Sequence, residues 1–149
     1  MHFILSVISI CCICICKVNA LDLSSSNSKK WHLTSCDEES IYKNVDILAS
    51  VPGEVTLDLI ASGHIKQEQD DPLYRFNEKS KEYIDVAKGC WKYTLNFDNN
   101  NQSNDNGNDV SLLSFDKIDT AADIFFNGKK IANTFNSHRQ HNIEINNNI

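Results

Sequence analysis

An all-β sandwich is the fold class that this 149-residue sequence predicts, and three observations predict it. WKYTLNF, residues 91–97, alternates large apolar and polar side chains with the period of two that a half-buried strand requires. Asn127-Gly128 stands between two apolar runs, the strongest short signature of a two-residue hairpin turn. The other apolar residues come in short bursts between polar turns, with one short helical pattern among them. At 41% hydrophobic and 23% charged, the chain has the composition of a globular domain, and its length suits a single one.

The N-terminus stands apart. Phe3 to Cys16 is an uncharged apolar run of 14 residues, against the roughly 20 that a membrane-spanning helix needs. Val18-Asn19-Ala20 places small residues at the positions a signal peptidase reads. Residues 1–20 are therefore expected to be a signal peptide cleaved after Ala20, leaving 21–149 as the folded domain. An uncleaved anchor and a buried core strand are the competing readings. His2 is the one candidate positive side chain ahead of the apolar run.

Cleavage removes Cys11, Cys12, Cys14 and Cys16 and leaves Cys36 and Cys90. In an oxidising lumen these either form a disulfide or remain buried thiols, and spacing alone does not decide. Lys17 is the one Lys or Arg in residues 1–20 and no acid is there, so cleavage moves the net charge from −6 to −7. That balance argues against nucleic acid or an anionic membrane as partner. The expected location is the secretory pathway, in the lysosome or outside the cell.

Residues 22–30, DLSSSNSKK, are polar and expected to fray. Trp31 and Leu33 alternate with polar neighbours and predict a first strand; Val45, Ile47 and Leu48 predict another. Val51-Pro52-Gly53 is a turn signature, because proline presets φ and glycine accepts φ > 0. Residues 54–62 then read as the short helix, with Val55 and Leu59 one turn apart and Gly63 as the residue that ends it. After the strand at 91–97 comes an Asn-rich stretch, 98–109, without an apolar residue. It carries the sequon Asn101-Gln102-Ser103, so Asn101 is the expected glycosylation site. VSLLSF, 110–115, is apolar on both faces and predicts a central strand. Residues 121–126 and 130–132 flank the hairpin turn, and HNIEI, 141–145, is a last strand with Ile143 and Ile145 on one face. The final INNNI shows no cap or stop, so the sandwich is expected to be incomplete at its C-terminal end.

The chemistry-bearing stretch is DDPLYRFNE, 70–78. It holds a proline, two aromatics, an arginine, an amide and three carboxylates, more than a connecting loop needs. Read from the residues alone, Tyr74 plugs the core and Arg75–Glu78 is a surface pair, while Asp70 and Asp71 form the turn before Pro72. His138 and His141 share a His-x-x-His spacing, but on a strand they would face opposite ways. Residues 21–149 hold no CxxC, no Gly-rich phosphate loop and no nucleophile elbow, so no metal or cofactor is expected.

The order of landmarks is specific in combination: Trp31, VPGEV (51–55), DLIASGHI (58–65), DPLYRFNE (71–78), WKYTLNF (91–97) and LSFDKIDTAADIFFNGKKIANTFNSHR (113–139). From about Trp31 to about Ile145 the chain resembles the N-terminal region of the β-mannosidases of glycoside hydrolase family 2. The resemblance implies a jelly-roll β-sandwich of the galactose-binding-like type, which agrees with the strand pattern. It implies a retaining exo-hydrolase of terminal β-D-mannose residues in β-mannosides and glycoprotein oligosaccharides, with both catalytic carboxylates in a downstream barrel. No catalytic residue is then expected in this chain, and the downstream domains of the same polypeptide are its expected partners. The resemblance gives Asn77 a place on the terminal sugar, Tyr74 a ring to stack on, and Arg75 and Glu78 the task of orienting the loop. Arg139 matches a family arginine expected to be structural or to face a domain interface. The alternative reading is a stand-alone carbohydrate-binding module or an inactive short paralogue.

Overall fold

A computed structural model describes residues 2–9, 12–14, 21–25, 29–66, 80–98, 111–119 and 121–145. In chain order these hold β1 (His2–Ser9), β2 (Cys12–Cys14), β3 (Trp31–Ser35), β4 (Asp46–Ala49), β5 (Gly53–Glu54), α1 (Val55–Ala61) and α2 (Ser80–Lys88). Next come β6 (Trp91–Asp98), β7 (Ser111–Phe115), β8 (Lys117–Asp119), β9 (Ala122–Phe126), β10 (Lys129–Thr134) and β11 (His141–Ile145). A six-stranded sheet has the order β10-β9-β1-β6-β3-β4; β5-β2-β8 and β11-β7 form two smaller sheets. All pairings are antiparallel. The domain is thus built mostly of strands, with two helices among the described residues and sheets that do not close on themselves.

One buried cluster joins the layers. The large sheet supplies Trp31, Leu33, Tyr93, Leu95 and Ile124; the smaller sheets supply Leu113, Phe115 and Ile118. β6 makes the alternation physical: Trp91, Tyr93, Leu95 and Phe97 are buried between more exposed Lys92, Thr94 and Asn96. On β3, Trp31 lies opposite Leu95 and Leu33 opposite Tyr93. A buried aromatic of this size removes 150–250 Å² from water, roughly 4–6 kcal/mol of gross transfer free energy.

The turns follow from their residues. Asn127 (φ 49) and Gly128 (φ 79) both take the positive φ that a type I′ turn needs, and β9 and β10 pair around them. α1 buries Val55, Asp58 and Leu59 on one face. It ends on Gly63 at φ 79. The Gly63 N–H donates to Ile60 O at 3.0 Å and the His64 N–H to Leu59 O at 2.9 Å, so a Schellman cap satisfies carbonyls the helix leaves open.

Three expectations change. α2 is a second helix where the sequence pattern suggested one in all. β7 pairs only with β11 among the described residues, so it is not central; Leu113 and Phe115 point inward while Leu112 is exposed, and strand alternation prevails over the two-sided apolar run. Residues 21–25 are docked rather than frayed. Leu23 and Ser24 are buried, the Trp31 indole donates to Leu23 O at 2.6 Å, and Ser25 and Val51 exchange bonds of 2.7 and 2.8 Å. Residues 2–9, within the expected leader, form the strand between β9 and β6, with Leu5 fully buried.

Candidate functional site

Residues 67–79, and with them Tyr74, Arg75, Asn77 and Glu78, lie outside the described residues, as does Asn101. What the structure describes is the frame on either side of this stretch. α1 leads into it and α2 leads out of it, and both helices are tied to the sheet.

On the outgoing side, Val86 is buried and its carbonyl accepts from the Trp91 indole at 2.9 Å. Gly89 makes that bond sterically feasible: a Cβ there would lie 2.9 Å from Trp91 Nε1. The Trp91 ring also packs against Tyr42, with centroids 5.7 Å apart and planes tilted by 49°. Beside it, Cys36 and Cys90 are joined by a disulfide with Cα atoms 5.1 Å apart, and the Cys36 N–H donates to Cys90 O at 2.9 Å. The bridge links the end of β3 to the start of β6, so it closes the base of the excursion that holds both helices.

On the incoming side the tie is a carboxylate. Asp58 is only 4% exposed. Its Oδ1 accepts from the Ser50 N–H at 2.9 Å and its Oδ2 from the Tyr93 hydroxyl at 3.3 Å. One side chain thus joins α1 to the β4–β5 turn and to β6. Burial pushes the Asp58 pKa above the ordinary carboxylate range; the bonds from Ser50 and Tyr93 oppose this, and the Glu54 charge adds to it. In the sequence Asp58 opens the landmark DLIASGHI with no role of its own evident. The available signal was position: an acid at 58 shares the helix face of Val55 and Leu59.

A raised pKa has a definite sign. The folded state binds the Asp58 proton more tightly than the unfolded state. This contribution is complete below the unfolded value and is lost as pH rises through the folded one. Asp58→Asn keeps an acceptor for Ser50 and a polar partner for Tyr93 but cannot ionise. Urea unfolding at intervals from pH 4 to pH 7 should therefore show the wild type losing stability relative to the variant as pH rises. A difference that does not change with pH would refute this assignment. Asp58→Ala strands both partners and should cost about 1–3 kcal/mol at pH 4, with the cost shrinking as pH rises.

The remaining sequence candidates stay apart from this frame. His138 sits in a turn, its backbone N–H bonded to Asn136 Oδ1 at 2.8 Å. His141 begins β11, is buried, and meets Asn136 O through Nε2 at 2.9 Å. Arg139 is exposed. Among the described residues no group of three or more His, Cys, Asp or Glu is placed to hold a metal ion. Nor does any described helix have the length and apolarity to cross a membrane.

The comparisons agree with this architecture. Residues 31–149 match a family described as glycosyl hydrolase 2 galactose-binding domain-like. The chain is 32% identical over 127 residues to "Beta-mannosidase A" of Emericella nidulans, covering 81% of this chain and 11% of that protein. It is 28% identical over 115 residues to "Probable beta-mannosidase" of Caenorhabditis elegans, covering 77% of this chain and 11% of that protein. The chain thus spans about a tenth of the length of these curated relatives. No solved structure matches it significantly.

Proposed function

The chain belongs to the glycosyl hydrolase 2 galactose-binding domain-like family, and from that premise we propose that it is the N-terminal, non-catalytic domain of a retaining exo-β-mannosidase. The full-length protein hydrolyses terminal, non-reducing β-D-mannose residues of β-mannosides and glycoprotein oligosaccharides. Retention needs two carboxyl groups about 5–5.5 Å apart, one a nucleophile and one an acid/base. Both lie in the rest of the polypeptide. Asp58, the buried acid described here, is engaged in tying a helix to the sheet.

One observation carries the reading. The family match spans both anchored flanks and the stretch 71–78 between them, and both relatives are named as β-mannosidases. In this account the frame holds Asn77 against the terminal sugar, where an amide offers two donors and an acceptor to hydroxyl groups. Tyr74 stacks on the apolar face of the ring, and Arg75 and Glu78 hold the loop. Residues 1–20 act as the leader into the secretory pathway, and Asn101 carries a glycan there. The Cys36–Cys90 bridge supports that route, since disulfides persist in oxidising compartments.

Kinetics of the full-length protein provide the test. Asn77→Ala should lower kcat/KM on an aryl β-D-mannoside roughly tenfold, the worth of about 1.4 kcal/mol, with an unchanged melting temperature. A shifted melting temperature with unchanged kcat/KM would make the loop purely structural. Glycan binding by residues 21–149 without the remainder would favour the stand-alone binding module instead.

A further inference from the structure

α1 rests on the sheet through a face that is one-third titratable. The helix has seven residues, and its buried side chains are Val55, Asp58 and Leu59. Glu54, at its N-cap, makes no side-chain capping bond. A helix this short is unstable in isolation, so its seat depends on that buried face. The two oxygens of Asp58 reach the Ser50 N–H and the Tyr93 hydroxyl, and among the described residues no cation pairs with the carboxyl group. Glu54, at the end of β5, adds negative charge, and Tyr93 on β6 is the other titratable partner. Lys81, Glu82, Asp85 and Lys88 of α2 are not among the groups that shift Asp58, and Asp46 of β4 is paired with His32. An ionised Asp58 would therefore be a buried charge held by two neutral donors.

The seat of α1 extends to the chain that follows it. The Ile65 N–H donates to Leu59 O at 3.2 Å and Ile65 is buried, so residue 65 is tied to the end of the helix. We propose that Asp58 is a positioning residue for sugar binding: protonated, it seats α1 against β6 and the β4–β5 turn; ionised, it releases the helix, and affinity for the β-mannoside falls. The inference rests on the proposed function, which places the sugar contacts in the stretch that α1 leads into. The seated helix binds the Asp58 proton more tightly than the released helix does. Seating is therefore complete below the ordinary carboxylate range and is lost as pH rises through the folded value.

Kinetics of the full-length protein on an aryl β-D-mannoside, from pH 4.5 to pH 7.5 and well below the melting temperature, test this role. Catalytic carboxyl groups elsewhere in the polypeptide titrate as well, so each variant is compared with the wild type at the same pH, which cancels them. The ratio of wild-type KM to Asp58→Asn KM should rise at least about threefold across this range, while the kcat ratio stays constant. Tyr93→Phe removes a bond that favours the carboxylate, so its KM should rise more with pH than that of the wild type. A general loss of stability would move both variants the same way. A KM ratio independent of pH overturns the proposal, and so does a Tyr93→Phe profile parallel to that of the wild type.

Hydrogen exchange of the full-length protein gives a second readout that needs no turnover. Protection of the amides of residues 59–63, taken relative to the intrinsic rate at each pH, should fall in the wild type as pH rises and hold steady in Asp58→Asn, with β9 protected throughout. Should Asp58→Asn fail to fold, the wild type and Tyr93→Phe decide: pH-independent protection of α1 in both overturns the proposal. The two readouts also separate this proposal from the functional one. A protein that hydrolyses β-mannosides with a constant KM ratio overturns only the role of Asp58. One that leaves β-mannosides intact, with α1 protection that falls with pH in the wild type and not in Asp58→Asn, overturns only the enzyme reading.

Discussion

Replacing both Cys36 and Cys90 by serine should lower the unfolding free energy by about 4 kcal/mol, the chain-entropy value for a loop of this length. The bridged residues are 54 apart in sequence. The loop between them includes β4, β5, α1 and α2, so the bond restricts more than a third of the chain in the unfolded state. Domains commonly have only 5–15 kcal/mol in total, which makes the loss a large share of stability. Urea unfolding of the wild type and of the double variant measures it. Native-state hydrogen exchange should show the extra opening concentrated between residues 37 and 89, while β9 and β10 change least. A loss below about 1 kcal/mol would mean that the backbone bond from Cys36 to Cys90 and the surrounding core already hold the base of the excursion closed.

Trp91→Ala is the second large effect, at about 3–5 kcal/mol. The side chain is 1% exposed, packs on Tyr42 and donates to Val86 O. Alanine leaves a cavity at the end of α2 and removes that donor. Trp91→Phe separates the two parts. The ring volume is largely kept, and Val86 O retains the bond from the Gly89 N–H at 3.1 Å, so the loss should fall to about 1–2 kcal/mol. Because Trp91 follows Cys90, the alanine and serine variants share a site and should not add. Equal losses for Trp91→Ala and Trp91→Phe would show that the hydrogen bond, not the packing, dominates here.

The elements legible in the sequence are those where local chemistry and burial agree. β6 alternates cleanly because one face meets the core. The β9–β10 hairpin is written in Asn127-Gly128, and the end of α1 in Gly63, because each position needs a backbone conformation that few residues accept. α2 was missed because Tyr83, Ile84 and Val86 give an irregular stripe, and Ile84 remains 47% exposed. Its support comes from elsewhere in the chain, from the Trp91 indole and the space left by Gly89. Residues 22–25 look like a polar tail because their partners, Trp31 and Val51, are distant in sequence. Residues 2–9 carry an apolar pattern that suits both a leader and a strand, so periodicity could not assign them.

The candidate site divides in the same way. Asn77, Tyr74, Arg75 and Glu78 were singled out by residue type and resemblance, whereas the frame on either side of them depends on tertiary contacts. Asp58 reads in sequence as one more charge on a short helix. It becomes a tie between three elements only when Ser50 and Tyr93 are brought to its two oxygens. The Cys36–Cys90 bridge likewise depends on β3 and β6 lying side by side, with Ser35 opposite Trp91.

The central claim is that this chain is one domain of a β-mannoside hydrolase whose catalytic groups lie elsewhere in the polypeptide. The most direct test is the rate of aryl β-D-mannoside hydrolysis by the full-length protein, beside that of the 149-residue chain at equal concentration. The account predicts turnover by the full-length protein, with retention of anomeric configuration, and none above background by the 149-residue chain. Hydrolysis by the short chain, or a full-length protein that leaves β-mannosides intact, would contradict it.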